Sequence, residues 1–279
     1  MTYFFVGGSQ RSGTSLLLRI LCDDPETNPN FGECAYLRSL FKAYESGKKT
    51  FDELTYLFDS PEDFRRFHTG LVQNFLQHCL ERFAPAKHLV LKEPHMTMVF
   101  PEVHELLPTE AKFLVIMRDP RDVVASMLDV GQKMSEKGTP HFFNKAEIPD
   151  LVAHFKNFYV ACFNACSKDE ILRKKVLVLR YESLVSQPDT ELAKLRAFTG
   201  LALPEAGKHA PGKRTVKTGS SARQQPWRTE LSGQAISASK VSNYRSKLSA
   251  EQIRQIEDLC QDIFRIFKYQ PDESLDPAL

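Results

Sequence analysis

Gly8-Ser9-Gln10-Arg11-Ser12-Gly13-Thr14-Ser15 stands between a short apolar run, Tyr3 to Val6, and a helical pattern that carries on to Cys22. A loop in that place suits an anion, because consecutive backbone N–H groups and the positive end of the helix converge on one point. Three further apolar runs have the same grammar: His88 to Leu91, Lys112 to Met117, and Val176 to Leu179. Each ends in polar residues and is followed by a helical pattern, which is the signature of βαβ units and a buried parallel sheet. The chain is therefore expected to be α/β, with a parallel β-sheet flanked by helices.

Apolar periodicity places helices over Ser12 to Cys22, Gly32 to Tyr44, Pro61 to Phe83, Arg121 to Lys133, Pro149 to Ala165, Thr190 to Phe198 and Ala250 to Phe267. The third has the clearest start, with Ser60 as cap, Pro61 at the first helical position and Glu62 and Asp63 in the first turn. These elements predict one domain over 1–279, with a helical insert at about 32–87. The stretch 203–247 is rich in Ser, Thr, Gly, Lys and Arg and has little period, so it reads as a long functional loop rather than a linker.

With 279 residues, 42% hydrophobic and 26% charged, the chain has the composition of an ordinary globular protein and enough length for a sizeable core. Lys and Arg total 37 against 35 for Asp and Glu, a net charge of +2, which argues against a nucleic-acid or general polyanion binder. Any bound anion must be met by a local cluster. The six cysteines form no CxxC pair and no metal-ligand spacing, so they read as reduced thiols of a cytoplasmic protein, and no metal is expected. No run reaches the roughly 18 residues a membrane helix needs, and the N-terminus has no basic and apolar leader pattern, so neither a span nor a leader is expected.

Gly8 and Gly13 have the GxxxxG spacing of a nucleoside-triphosphate loop, but Thr14 stands where that loop carries its lysine. Without the lysine, ordinary ATP or GTP hydrolysis loses its main phosphate counter-charge. Arg11 supplies positive charge instead, and Ser12, Thr14 and Ser15 supply hydroxyls. A second constellation, Arg118-Asp119-Pro120-Arg121-Asp122-Val123-Val124-Ala125-Ser126-Met127, follows the third strand. Strand carboxyl ends face the ligand crevice of an open α/β sheet, so Arg118 should point there, with Ser126 about two turns into the next helix. An arginine where a magnesium-dependent enzyme would place an acid suggests a second anionic group. The same residues also make an ordinary helix start, with Asp119 as cap and Pro120 at the first position.

GSQRSGTS and RDPRDVVASM together resemble the two co-substrate motifs of the sulfotransferases that use 3′-phosphoadenosine 5′-phosphosulfate (PAPS), a family with a P-loop NTPase-like fold. The resemblance implies that Arg11, Ser12, Gly13, Thr14 and Ser15 hold the 5′-phosphosulfate and that Arg118 and Ser126 hold the 3′-phosphate. It looks closest to the branch with protein-tyrosine sulfotransferases and bacterial relatives. Phe31-Gly32-Glu33 resembles the motif whose glutamate serves as base, Leu91-Lys92-Glu93-Pro94 resembles its strand end, and Leu179-Arg180-Tyr181-Glu182-Ser183-Leu184 resembles the segment whose tyrosine, here Tyr181, lies against the nucleotide. Val216 to Ser221, including Ser220, followed by Pro226-Trp227, resembles the late loop that covers the co-substrate. The segment Ser242-Asn243-Tyr244-Arg245 lacks a cation at Asn243, for which Lys240 or Arg245 could substitute. No arginine stands at Cys34-Ala35-Tyr36, where the protein-sulfating enzymes hold an acidic substrate, although Arg38 follows.

The implied reaction is in-line sulfuryl transfer from PAPS to a hydroxyl acceptor, a small molecule, a sugar or another hydroxyl compound, releasing adenosine 3′,5′-bisphosphate (PAP). Glu33 is the first candidate for the base, although a glutamate there also suits the first turn of a helix. His95, three residues beyond Lys92, is the second, because imidazole titrates near neutrality and the cytosolic small-molecule sulfotransferases use a histidine in a comparable place. Lys92 is the candidate to follow the bridging oxygen as charge moves onto the phosphate. A nucleotide kinase and a non-catalytic nucleotide-binding protein are the competing classes. Phe142, Phe143, Phe155, Phe158 and Tyr159 could line an apolar acceptor site or simply fill the core.

Overall fold

Alternating residues of the strands feed two different cores, and that alternation explains the architecture. A computed structural model describes residues 1–205, 215–216 and 236–272. Its strands are β1 (Tyr3–Gly7), β2 (Leu89–Lys92), β3 (Ala111–Met117) and β4 (Val176–Arg180), each within one residue of the boundaries expected from sequence. They form a four-stranded parallel sheet in the order β2-β1-β3-β4. Tyr3, Phe5, Leu89, Leu91, Phe113, Val115 and Met117 face one layer of helices, whereas Phe4, Val6, Val90, Leu114, Ile116 and Leu179 face the other. Burial on both faces is why these strands read as continuous apolar runs.

The helices over the described residues are α1 (Thr14–Leu21), α2 (Ala35–Lys49), α3 (Pro61–Arg82), α4 (Phe100–Leu106), α5 (Pro120–Glu136), α6 (Ile148–Lys168), α7 (Glu170–Lys174), α8 (Tyr181–Ser186), α9 (Pro188–Thr199), α10 (Ala250–Leu259) and α11 (Gln261–Phe267). On one face, α2 to α6 and α10 enclose the larger core, and on the other α1, α8 and α9 enclose the smaller. Ser60 caps α3 by accepting from the Asp63 N–H at 3.1 Å, and Asp119 caps α5 by accepting from the Arg121 N–H at 2.9 Å, both as the sequence indicates.

The helices α4, α7 and α8 fall where the sequence reading placed none, several expected helices run three to five residues further, and two expected helices are altered by identifiable tertiary contacts. The helix expected from Gly32 begins at Ala35, because Gly32 has φ +95° and the Cys34 N–H is spent on the Lys92 carbonyl of β2 at 2.9 Å. Glu33 therefore precedes the helix instead of sitting in its first turn. The single helix expected over Ala250 to Phe267 breaks at Cys260, whose φ and ψ are −114° and 17°. The bend keeps Ile253, Ile256, Cys260, Ile263 and Phe264 all buried.

The edge beside β2 is closed by a side chain. Asn28 accepts from the Val90 N–H at 2.6 Å and donates to the Val90 carbonyl at 3.2 Å, pairing backbone groups that would otherwise be open to another strand. Because the chain leaves β1 toward β2 on one side and returns to β3 on the other, the crevice between the carboxyl ends of β1 and β3 is the switch point of the sheet, where α/β proteins bind ligands.

The centre of the sheet bears on Phe113, which is fully buried with ring centroids 5.8 Å from Phe5 and 4.6 Å from Phe100. Phe113→Ala should lower the unfolding free energy by about 3–5 kcal/mol in urea titration, with the slope against denaturant unchanged.

Candidate functional site

The loop after β1 folds tightly because three of its residues take a positive φ: Gly8 at 136°, Arg11 at 70° and Gly13 at 107°. A Cβ on Gly8 would lie 2.5 Å from the Ile116 carbonyl, and one on Gly13 would lie 2.6 Å from Tyr181 Cδ2. Glycine is required at both places by backbone sense and by the close approach of β3 and α8. The Ser12 hydroxyl donates to the Ser9 carbonyl at 2.6 Å, so its proton is used to shape the loop. Tyr159 on α6 pins the base of the loop: its hydroxyl accepts from the Ser9 N–H at 3.0 Å and donates to the Ile116 carbonyl at 3.1 Å.

Arg11 and Arg118 are brought together at the switch point. Arg11 Nε donates to Ser126 Oγ at 3.1 Å, linking the loop to the second turn of α5. Arg118 donates from Nη1 to the Arg11 carbonyl at 3.2 Å and from Nη2 to the Lys240 carbonyl, and pairs with Asp122 at 3.3 Å. Its guanidinium lies over the Tyr181 ring, 4.5 Å from the centroid, while its buried Nε has no hydrogen-bond partner among the described residues. Burial, and after it the Arg118 charge, pushes the Arg11 pKa down to about 10. Two neighbouring cations, Arg118 buried and Arg11 half-buried, make this crevice favourable for an anion.

Lys92 and Glu33 meet on the other side of the loop. Lys92 lies beside Val6 in the β1–β2 register, and its side chain is 5% exposed. Nζ is 2.5 Å from Glu33 Oε1 and 3.4 Å from Ser15 Oγ, so one ammonium touches both the loop and a carboxylate. Glu33 is 53% exposed at its side chain, open to an incoming molecule. His95 sits one turn beyond, with Nδ1 2.9 Å from Glu93 Oε1, and its ring packs 4.9 Å from Phe158. Thr14 is buried at the start of α1.

Two acids in the motifs do structural work that the sequence did not reveal. Glu182 accepts from the Asp119 N–H at 2.8 Å and from the Tyr269 hydroxyl at 3.1 Å, clamping the ends of β3 and β4, and burial raises its pKa. Asp122 accepts from the Ser242 and Tyr244 N–H groups, each at 2.9 Å, and so ties the late segment to α5. This brings Lys240 to Arg118 through its backbone. Arg245 instead pairs with Asp272 at 3.1 Å. Phe143, Phe155, Phe158 and Tyr159 are core residues, and Phe142 alone of the five aromatics singled out is largely exposed. Ser220, Pro226-Trp227 and most of 203–247 lie outside the described residues. Among the described residues no group of three or more His, Cys, Asp or Glu could hold a metal, and no helix is long and apolar enough to cross a membrane.

The model of the sulfotransferase family matches residues 4–205, a span that includes the loop, Glu33, Lys92, Arg118 and Tyr181. The chain belongs to the sulfotransferase family. Among similar proteins, protein-tyrosine sulfotransferase 2 of Gallus gallus is 24% identical over 209 residues, 75% of this chain and 54% of the relative. Carbohydrate sulfotransferase 6 of Homo sapiens is 26% identical over 201 residues, 68% of this chain and 50% of the relative. The chain thus spans about half the length of these two relatives. In fold it is similar to the sulfotransferase domain from the curacin biosynthetic pathway, with a TM-score of 0.62 at 18% identity, covering 97% of this chain and 99% of that one. It is also similar to mouse sulfotransferase SULT7A1 complexed with PAP, with a TM-score of 0.50 at 14% identity over 95% and 83% of the two chains.

His154 bridges this sulfotransferase loop to the histidine beside it. Its Nε2 is 3.2 Å from Gln10 Oε1 and its ring is 6.4 Å from that of His95. Burial, then the neighbouring His95 and His141, lowers its pKa from 6.5 to about 4, so it stays neutral in the folded chain. A histidine that protonates more readily when unfolded costs stability as pH falls. The unfolding free energy should therefore decline from pH 6.5 toward about 4, and His154→Gln should flatten that decline in urea titrations across the range.

Proposed function

We propose that this chain transfers the sulfuryl group of PAPS to the hydroxyl of a small molecule or sugar and releases PAP. The observation that carries this reading is Lys92 Nζ, held at once by Ser15 of the loop and by Glu33, at 3.4 and 2.5 Å. One cation there spans the place for a phosphosulfate and the place for a base. The loop from Arg11 to Ser15 would hold the 5′-phosphosulfate, Arg118 and Ser126 the 3′-phosphate, and Tyr181 the nucleotide side. The crevice fits such a group, since Arg11 and Arg118 meet there and Arg118 Nε lies buried without a hydrogen bond among the described residues.

In the step itself the acceptor oxygen bonds to sulfur in line with the bridging oxygen. The bond from sulfur to that oxygen breaks, and its electron pair goes to the 5′-phosphate of PAP. The acceptor proton goes to the Glu33 carboxylate, and the Lys92 ammonium offsets the charge appearing on the phosphate oxygen. Arg38, the next arginine after Glu33, lies 3.6 Å from Glu93 Oε2, which supports a neutral acceptor over an acidic peptide.

Transfer from ³⁵S-labelled PAPS to 2-naphthol, N-acetylglucosamine, cholesterol and a tyrosine peptide tests the reading. Label on at least one acceptor is expected, while PAP binding without any transfer would overturn it in favour of a non-catalytic nucleotide-binding protein. Lys92→Ala should abolish transfer and leave PAP bound, as measured by calorimetry. Glu33→Gln should lower kcat by about 10²–10⁴-fold, and a larger loss in His95→Ala than in Glu33→Gln would move the base to the histidine.

A further inference from the structure

The ladder between β1 and β3 has a fixed rhythm that stops at Ser9. Its register sets Tyr3 beside Ala111 and Gly7 beside Val115, and the Tyr3 N–H donates to the Glu110 carbonyl at 2.8 Å. In a parallel pair, alternate residues of one strand donate to the residue before their partner on the other. Continued past Gly7 in the same steps of two, the next donor is the Ser9 N–H and the next acceptor is the Ile116 carbonyl.

That rung is made through a side chain. The Tyr159 hydroxyl stands in it, accepting from the Ser9 N–H at 3.0 Å and donating to the Ile116 carbonyl at 3.1 Å. The roles are forced, because an amide N–H only donates and a carbonyl only accepts. A direct rung spans about 2.9 Å, whereas two bonds through one oxygen hold the strand ends a hydroxyl's width further apart. The Ser9 carbonyl has also left the ladder, taking the Ser12 N–H at 3.1 Å and the Ser12 hydroxyl at 2.6 Å. Ser9 is thus the residue at which β1 parts from β3 and the loop begins.

The inserted ring is tightly held. Tyr159 is buried, with the Phe155 and Phe163 rings 5.3 and 5.7 Å away, one turn to either side on α6. Burial raises the phenol pKa above its ordinary value, so the hydroxyl keeps its proton and remains a donor. Ser9 and Ile116 are fully buried, so with the hydroxyl removed their backbone groups either stay unpaired or close on each other. Closing would draw the loop toward β3, where a Cβ on Gly8 already has no room beside the Ile116 carbonyl.

We propose that Tyr159 is a positioning residue for the co-substrate: its hydroxyl, inserted in the β1–β3 ladder, holds the strand ends apart and sets the loop where it meets the 5′-group. The contact with the 5′-group rests on the transferase reading. The insertion does not.

Proton NMR of the full chain reads the insertion without any ligand. The wild type should show a slowly exchanging Tyr159 hydroxyl proton with an Overhauser contact to the Ser9 amide proton, and the lack of that contact overturns the proposal. Tyr159→Phe removes one oxygen and keeps the ring. By calorimetry it should weaken PAP about 10-fold, and adenosine 3′-phosphate, which has no 5′-group, by less than about twofold. Phe155→Leu loosens the same core and leaves the hydroxyl, so the ratio of the two affinities should stay at its wild-type value. An equal loss for both nucleotides in Tyr159→Phe, or a ratio that falls as far in Phe155→Leu, makes Tyr159 a packing residue only and overturns the positioning role. A wild type that binds neither nucleotide refutes the transferase reading and with it the positioning role, while the hydroxyl proton still reports the insertion.

Discussion

The placement of Arg11 and Arg118 side by side at the carboxyl ends of β1 and β3 is the constraint on which the rest of the site depends. The two cations repel, and each is held by groups from other parts of the fold. Ser126 receives Arg11, while Asp122, the carbonyls of Arg11 and Lys240, and the Tyr181 ring receive Arg118. Those partners come from α5, α8 and the segment before α10, so the charge problem at the switch point recruits distant parts of the chain. The repulsion that remains favours an anion in the crevice.

A second layer of acids holds that arrangement rigid. Glu182 joins the start of α5 to the segment after α11 through Tyr269, and Asp119 forks onto Arg121, which also reaches Glu257 at 2.5 Å. Arg121 lies between the Tyr244 and Phe264 rings, at 4.4 and 4.8 Å. Such groups are buried at a cost and repaid only when every partner is in place. The late segment and the C-terminal helices are thereby tied to the same carboxyl end of the sheet as the two arginines. On the opposite side of the loop, Lys92 is met by Glu33 and Ser15.

Much of this was legible in the linear chain, and for identifiable reasons. Strands buried on both faces are continuous apolar runs, so all four emerge with their boundaries nearly right. The helix caps at Ser60 and Asp119 are local interactions, formed within three residues, and they too emerge. The helix starting at Ala35 instead of Gly32 did not, since its boundary depends on an amide bonded to β2, 58 positions away in sequence, from Cys34 to Lys92. The break at Cys260 was hidden for a related reason: the apolar period continues through it, and only packing against α6 shows the bend.

The sequence by itself determined the four strands, the longer helices, the loop with its required glycines, and the residue types available to meet an anion. These follow from periodicity and from short-range backbone chemistry. Only the tertiary structure decided which of the charged residues meet. It joined Arg11 to Ser126, Lys92 to Glu33 and Glu93 to His95, sent Arg245 away to Asp272, and turned Glu182 and Asp122 into fasteners. Ion pairs and hydrogen bonds between residues far apart in the chain have no period to betray them, because their geometry exists only once the sheet has brought its strand ends together.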